Sequence, residues 1–154
     1  MHTIKKVLAS PGLSGFYFDD QKAIKENAEE DGFTYNGQPL TDGFRDVRQA
    51  GESISVILIL DNGQIACGDC AAVQYSGTDG RDSLFLAEDF VPVINNRIAP
   101  LLEGVRLDSF KRLSELVDNF RVEGRKLHTA LRYGITQALL DGVAQAKAVT
   151  RTEV

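Results

Sequence analysis

The pattern of hydrophobic and polar positions changes about half-way along this chain of 154 residues. Before residue 75, apolar side chains alternate with polar ones or form short β-branched runs, which is typical of strands. From residue 84 onward they recur every three or four positions, which is typical of helices that pack through one face. Strands followed by helices along the chain predict an α+β fold.

The clearest strand signal is a hairpin around Asn62-Gly63. Residues 53–60 are mostly β-branched or aliphatic, and residues 64–73 form the return strand. The Asn-Gly pair supplies the positive φ angles that a tight hairpin turn needs. Side chains of the return strand alternate between two faces. One face carries Ile65, Cys67, Asp69, Ala71 and Val73, and the other carries Ala66, Gly68, Cys70, Ala72 and Gln74.

The region before this hairpin has a weaker pattern. Residues 3–9 predict a short strand, which Pro11 and Gly12 should end. Residues 13–51 follow as a long stretch with frequent glycines and two groups of aromatic residues. Long connections without periodicity are uncommon, and they often serve as lids or binding loops. We therefore expect residues 13–51 to be irregular.

The second half of the chain predicts three helices. They span residues 84–101, 109–120 and 127–148. Pro92 lies inside the first helix and should end or kink its first turn. Asp108 or Ser109 is placed to cap the second helix through a side-chain oxygen.

Small residues recur every fourth position along the last helix. They are Ala130, Gly134, Ala138, Gly142 and Ala146. Such a stripe lets another backbone approach closely. The stripe has two interpretations: packing within the same domain, or a seat for a second domain or a second copy.

Charge and composition narrow the range of partners. The net charge is −5, whereas proteins that bind phosphate backbones usually carry a basic excess. An acidic surface is also not attracted to an anionic membrane. No apolar run approaches the roughly 20 residues that cross a bilayer, and the N-terminus lacks the apolar core of a signal peptide. We expect neither nucleic acid nor membrane as a partner, and a cytoplasmic location.

Cysteine and histidine side chains give weak signals for chemistry. Cys67 and Cys70 have the spacing of a redox pair or of half a zinc site. A structural zinc site needs four ligands, and a redox pair favours a helix N-terminus over a strand. Two reduced cysteines in a strand therefore explain the pair best. His128 precedes the last helical pattern, where a capping or surface role is expected.

Polar residues stand where the return strand ends. Gln74 and Tyr75 are followed by a glycine-rich loop at 76–82. A glutamine side chain both donates and accepts hydrogen bonds, so it suits the recognition of a carboxylate or an amine. Loops on a rigid scaffold carry binding residues disproportionately often. The alternative is that Gln74 merely ends the strand.

Five stretches of the sequence resemble one family. They are PGLSGFYFDDQKAIK at 11–25, DGFTYNG at 31–37, VRQAGESISVILIL at 47–60, GDCAAVQYSGTDGRDSLFLAEDF at 68–90 and LHTALRYGITQALLD at 127–141. Together they resemble the N-terminal domain of methylaspartate ammonia-lyase, a family of the enolase superfamily. The resemblance covers nearly the whole chain.

This resemblance implies a fold and an activity. The complete enzyme eliminates ammonia from L-threo-3-methylaspartate to give mesaconate during glutamate degradation. It uses Mg²⁺ and a monovalent cation such as K⁺, and it is a homodimer. Its N-terminal domain is a three-stranded antiparallel sheet followed by a helical bundle. That domain caps a C-terminal (β/α)₈ barrel, which carries the lysine base, a catalytic histidine and the metal ligands.

For this chain, residues 1–154, the resemblance implies the capping domain without the barrel. It therefore implies no catalytic residue and no metal ligand here, and a barrel partner in cis or in trans. It places Gln74 toward the amino group of the amino-acid substrate, with Tyr75 and Cys70 beside it. It also makes residues 16–18 a candidate lid.

Two rival hypotheses remain. One is a non-catalytic capping domain that acts as a binding or oligomerisation module through the small-residue stripe of the last helix. The other is a small redox protein that uses Cys67 and Cys70 as a reversible disulfide.

Overall fold

The computed structural model describes residues 2–72 and 82–154. Strands β1 to β7 span Ile4–Asp19, Glu29–Asp31, Thr34–Asn36, Arg48–Leu60, Ile65–Ala71, Arg121–Val122 and Arg125–Lys126. Helices α1 to α5 span Gln21–Glu26, Ala87–Val93, Ala99–Leu102, Phe110–Asn119 and Thr129–Lys147. A π-helical turn, Ile94–Ile98, joins α2 to α3, and a 3₁₀ turn, Arg151–Glu153, follows α5.

The main sheet has three antiparallel strands in the order β1-β4-β5. The predicted hairpin is confirmed, because β4 and β5 pair from Ser53 opposite Ala71 to Ile59 opposite Ile65. The helices follow the sheet along the chain, as the α+β prediction requires. The two faces of β5 also agree with the predicted alternation, since Ala66, Gly68 and Cys70 are buried.

Strand β1 is longer than the sequence pattern predicts. It continues through Pro11, which pairs with Ile54, and ends at Asp19. A proline is tolerated there because β1 is an edge strand and its outer side has no ladder to donate to. A register shift between Leu13 and Tyr17 bends the strand. The prediction that Pro11 and Gly12 end this strand is therefore wrong.

Residues 13–51 are also more regular than expected. They contain the end of β1, helix α1, the small hairpin β2–β3 and the start of β4. Phe18 is fully buried in the core, so it is not part of a lid, whereas Phe16 is half-exposed. Arg48 fastens the β2–β3 hairpin to the sheet. Its guanidinium makes a bidentate pair with Asp19, at 2.7 and 2.8 Å, and donates to the Phe33 carbonyl at 2.9 Å.

A buried carboxylate organises the chain between α1 and β4. Asp20 accepts hydrogen bonds from the backbone N–H groups of Leu40 and Thr41, at 2.6 and 2.8 Å, and caps α1. Burial alone would raise the pKa of the Asp20 carboxyl. The hydrogen bonds from Thr41, Leu40 and Ala23 outweigh this effect and lower the pKa. Asp20 thus stays ionised although it has no exposed surface.

Helices of the second half match the predicted ones with two differences. Ser109 caps α4, because its hydroxyl accepts from the Arg112 N–H at 3.3 Å. Helix α2 begins at Ala87, three residues later than predicted, and it continues past Pro92. Pro92 is exposed, so water can satisfy the carbonyl that loses its partner.

The core is built on close contact between β5 and α5. A Cβ atom added to Gly134 would lie 2.5 Å from the backbone nitrogen of Cys70, and one added to Gly68 would lie 2.5 Å from that of Ala138. Real Cβ atoms do not approach backbone so closely, so only glycine fits at either position. We call this the β5–α5 glycine contact, formed by Gly68 and Gly134.

The small-residue stripe of α5 therefore packs within the domain. Ala130, Gly134, Ala138 and Gly142 are all buried, and strand β5 lies on them. The first interpretation of the stripe is confirmed. The hypothesis that it serves as an oligomer interface is wrong, because β5 already covers it.

The two cysteines lie on opposite faces of β5. Cys67 is exposed and Cys70 is buried, and both are free. Side chains three positions apart in a strand point to opposite sides of a sheet, so their sulfurs cannot meet without unfolding. The redox-pair hypothesis is therefore wrong, and the interpretation as reduced strand residues is confirmed.

The glycine contact predicts different outcomes for two glycines of the same helix. We expect Gly134→Ala to lower the free energy of unfolding by about 3 kcal/mol, because backbone atoms on both sides must move. Gly142→Ala is the matched control. Its Cβ would meet only the flexible end of Leu107, at 3.3 Å. The gain in helix propensity of about 1 kcal/mol should leave its stability near or above wild type.

Urea denaturation of the two variants checks this prediction. Equal stabilities for Gly134→Ala and Gly142→Ala would show that β5 and α5 can separate without cost.

Thiol titration gives a second prediction. Burial and the nearby charge of Asp69 raise the pKa of the Cys70 thiol to about 12. With Ellman's reagent at neutral pH, we expect one fast thiol, Cys67, in the folded chain and two in denaturant. Two fast thiols in the folded chain, or a disulfide formed without unfolding, would contradict the arrangement of β5.

Candidate functional site

Two of the predicted site residues, Gln74 and Tyr75, lie outside the described residues. The structure does describe the chain on both sides of them. Strand β5 ends at Ala71, and the chain is described again from Asp82. The site is therefore defined here by how the two ends of the 73–81 segment are held.

The N-terminal end of the segment is held by Cys70, the third predicted site residue. Its side chain has no exposed surface. The thiol lies 3.9 Å from the Leu131 carbonyl of α5, and it would collide with a side chain at Gly134. A buried thiol with a raised pKa does not reach a ligand in this conformation. Cys70 therefore acts on this region through the strand that it anchors, three residues before Val73.

The C-terminal end of the segment is held by the start of the same helix. The Asp82 carboxylate accepts from the Thr129 N–H at 2.8 Å, which satisfies one of the free N–H groups of the first turn. Burial alone would raise the pKa of the Asp82 carboxyl, but hydrogen bonds from the Thr129 side chain and backbone lower it. The next residue, Ser83, accepts a hydrogen bond through its carbonyl from His128 Nε2 at 2.9 Å.

His128 combines capping with this second contact. Its Nδ1 accepts from the Ala130 N–H at 3.0 Å, so the capping role predicted for it is confirmed. The ring lies between Phe85 and Phe90, with centroid distances of 5.2 and 5.1 Å. Only 9% of the residue is exposed. The predicted alternative, a surface histidine, is wrong.

Both ends of the 73–81 segment are thus attached to the first two turns of α5. Residues 128–134 contact Cys70 on one side and Asp82 and Ser83 on the other. Such double anchoring of a short segment on a rigid helix is the arrangement that holds a binding side chain in a fixed place.

The sequence interpretation missed Asp82 and Ser83 as anchors. The glycine-rich pattern assigned them to a solvated loop. The available signal was the alternation of Asp82 and Ser83 with the cap of α5, 45 residues further along the chain. A single sequence does not reveal contacts over that separation.

The described parts of the chain show no metal centre. Among residues 2–72 and 82–154, no group of three or more His, Cys, Asp or Glu side chains could hold a metal ion. His2 is instead paired with Asp61 at 2.8 Å, beside the β4–β5 turn. No helix in these ranges is long and apolar enough to cross a membrane.

Comparisons with known proteins agree with this architecture. The family described as methylaspartate ammonia-lyase N-terminus matches residues 2–154. The chain is 61% identical over 151 residues to methylaspartate ammonia-lyase of Clostridium tetanomorphum, covering 98% of this chain and 37% of that protein. The chain therefore spans a little over a third of the length of this curated relative.

Solved structures match equally well. The Mg complex of β-methylaspartase from Clostridium tetanomorphum superposes with a TM-score of 0.95 at 60% identity, over 98% of this chain and 37% of that one. Methylaspartate ammonia-lyase of Citrobacter amalonaticus containing (2S,3S)-3-methylaspartic acid gives a TM-score of 0.94 at 57% identity, over 98% and 37%. The α+β capping fold and the resemblance are confirmed, and the chain belongs to the methylaspartate ammonia-lyase N-terminus family.

Proposed function

We propose that this chain is the capping domain of a methylaspartate ammonia-lyase, which eliminates ammonia from L-threo-3-methylaspartate to give mesaconate. The observation that carries the proposal is the match over 98% of the chain to structures of such enzymes, one of them containing (2S,3S)-3-methylaspartic acid. The anchored 73–81 segment supplies the physical basis for a contribution from this domain.

Gln74 is the proposed substrate-binding residue. A glutamine amide can accept a hydrogen bond from an ammonium group and donate one to a carboxylate, and 3-methylaspartate carries both. Because it is neutral, it binds the amine without changing the charge of the site. Gln74 lies four residues after Cys70 and eight before Asp82. Anchors so close to it would limit the freedom that substrate binding has to remove.

Tyr75 and Cys70 have supporting roles in this proposal. Tyr75 offers a hydroxyl beside Gln74 that can donate or accept. Cys70 fixes the end of β5 against Leu131 and Gly134, so it determines where the strand releases the chain toward Gln74. Neither residue is assigned a step in the reaction.

Magnesium chemistry is not assigned to the described residues. They offer no cluster of three metal-ligating side chains, so no step is derived through a metal ion here. We propose that the Mg²⁺ and K⁺ sites and the catalytic base belong to the barrel of the complete enzyme. That barrel is the proposed partner of this chain, in cis or in trans.

The remaining features of the complete enzyme are proposals of the same kind. They are a homodimeric assembly, a cytoplasmic location and a role in glutamate degradation. The rival module hypothesis is not carried further, because the surface that it requires is covered by β5.

The role of Gln74 predicts a specific kinetic defect in the complete lyase. Loss of a hydrogen bond to a charged group costs about 1.5–3 kcal/mol. We therefore expect Gln74→Ala to lower kcat/KM for methylaspartate by roughly 10- to 100-fold. In the reverse direction, the relative rates with ammonia and with larger amines should change.

Gln38→Ala is the control, because Gln38 is an exposed glutamine outside the site. It should retain wild-type kinetics. If Gln74→Ala keeps wild-type kcat/KM and amine preference, Gln74 does not contact the substrate.

A further inference from the structure

The contact between His128 and Ser83 does more than a helix cap requires. Capping α5 needs only an acceptor for the Ala130 N–H, which His128 Nδ1 supplies at 3.0 Å. Serine, threonine, asparagine or aspartate would serve as well. None of these side chains also carries a donor on the far side of a ring. In this protein that donor, Nε2, reaches the Ser83 carbonyl at 2.9 Å.

We propose that His128 is a positioning residue, which holds Ser83 in place and thereby fixes the C-terminal end of the segment that carries Gln74. The structural part of this proposal stands on the described contacts. Its kinetic consequence rests on the proposed function of Gln74. His128 itself is not a catalytic residue, because it acts through Ser83 and the chain leading to Gln74.

The hydrogen-bond network assigns the tautomer of His128. A backbone N–H can only donate, so Nδ1 must accept from Ala130 and carries no proton. A carbonyl oxygen can only accept, so Nε2 must carry the proton that is shared with Ser83. A single neutral imidazole therefore satisfies one donor on the helix and one acceptor on the preceding strand-to-helix connection.

Packing fixes the direction in which this donor points. Phe85 and Phe90 stack on each other at 5.1 Å, and both rings contact the imidazole. Phe85 is fully buried. The imidazole therefore has little room to rotate, and Nε2 keeps its aim at Ser83.

Asp82 reinforces the same attachment from the neighbouring position. Its carboxylate accepts from the Thr129 N–H at 2.8 Å and lies 3.8 Å from His128 Nδ1. Asp82 and Ser83 thus contact successive residues of one helix start. Displacement of this pair would be transmitted to Gln74 through the eight residues that separate Asp82 from it.

Two substitutions separate the cap from the positioning contact. His128→Asn keeps an acceptor at the N-cap, where asparagine is among the preferred residues, but it is too short to reach Ser83. His128→Gln places an amide N–H near the position of Nε2 but gives up the cap. A residue that serves only as a cap would make His128→Asn harmless and His128→Gln harmful.

Hydrogen exchange on the 154-residue chain is the first test. We expect His128→Asn to increase amide exchange over residues 82–86 about tenfold, while residues 129–132 of α5 keep their protection. His128→Gln should show the reverse pattern. Unchanged exchange over 82–86 in His128→Asn would overturn the proposal. If His128→Asn does not fold, as judged by circular dichroism and by a fast Cys70 thiol, the pattern in His128→Gln decides.

A double-mutant cycle in the complete lyase is the second test. We expect His128→Asn to lower kcat/KM for methylaspartate roughly tenfold, and to have no further effect when Gln74 is already alanine. Equal losses in both backgrounds would show that His128 does not act through Gln74, and would overturn the positioning role.

The two tests keep this inference distinguishable from the proposed function. If Gln74→Ala alone leaves the kinetics unchanged, the proposed role of Gln74 fails. The exchange experiment still decides whether His128 holds residues 82–86.

Discussion

Gly68 and Gly134 have no side chains to keep β5 and α5 apart, so the two backbones meet directly, and the rest of the domain is arranged around that contact. An added Cβ on either glycine would come within 2.5 Å of a backbone nitrogen of the opposite element. The contact fixes both the height of α5 above the sheet and its position along β5. It also buries Cys70, whose thiol lies against the helix one turn from its start.

From this contact the candidate site follows in two steps. The contact places the start of α5 beside the end of β5, so the helix cap is next to the point where the chain leaves the sheet. Asp82 and Ser83 then return to that same cap through Thr129 and His128. A structural element of the core therefore holds both ends of the segment that carries Gln74. This arrangement explains how a domain with no recognised catalytic residue can contribute to the specificity of a lyase.

The sequence predicts the parts of this fold that depend on local chemistry. Asn62-Gly63 identifies the hairpin, Ser109 identifies a helix start, and the spacing of small residues in α5 identifies a face for close packing. The exit of β1 was mispredicted, because the position of Pro11 on an edge strand depends on strand order. The Ser83–His128 contact was missed because it joins residues 45 positions apart. Gln74 was singled out by its place at a strand end and by family resemblance, and not by any local signal of its anchors.

A crystal structure of the complete enzyme with 3-methylaspartate bound tests the central claim most directly. The account predicts that the Gln74 amide lies at hydrogen-bonding distance, about 3 Å, from the amino or carboxylate group of the substrate. It also predicts that the contacts of α5 with Cys70 and Ser83 are retained. A substrate out of reach of Gln74, or a segment detached from α5 while substrate is bound, would contradict it.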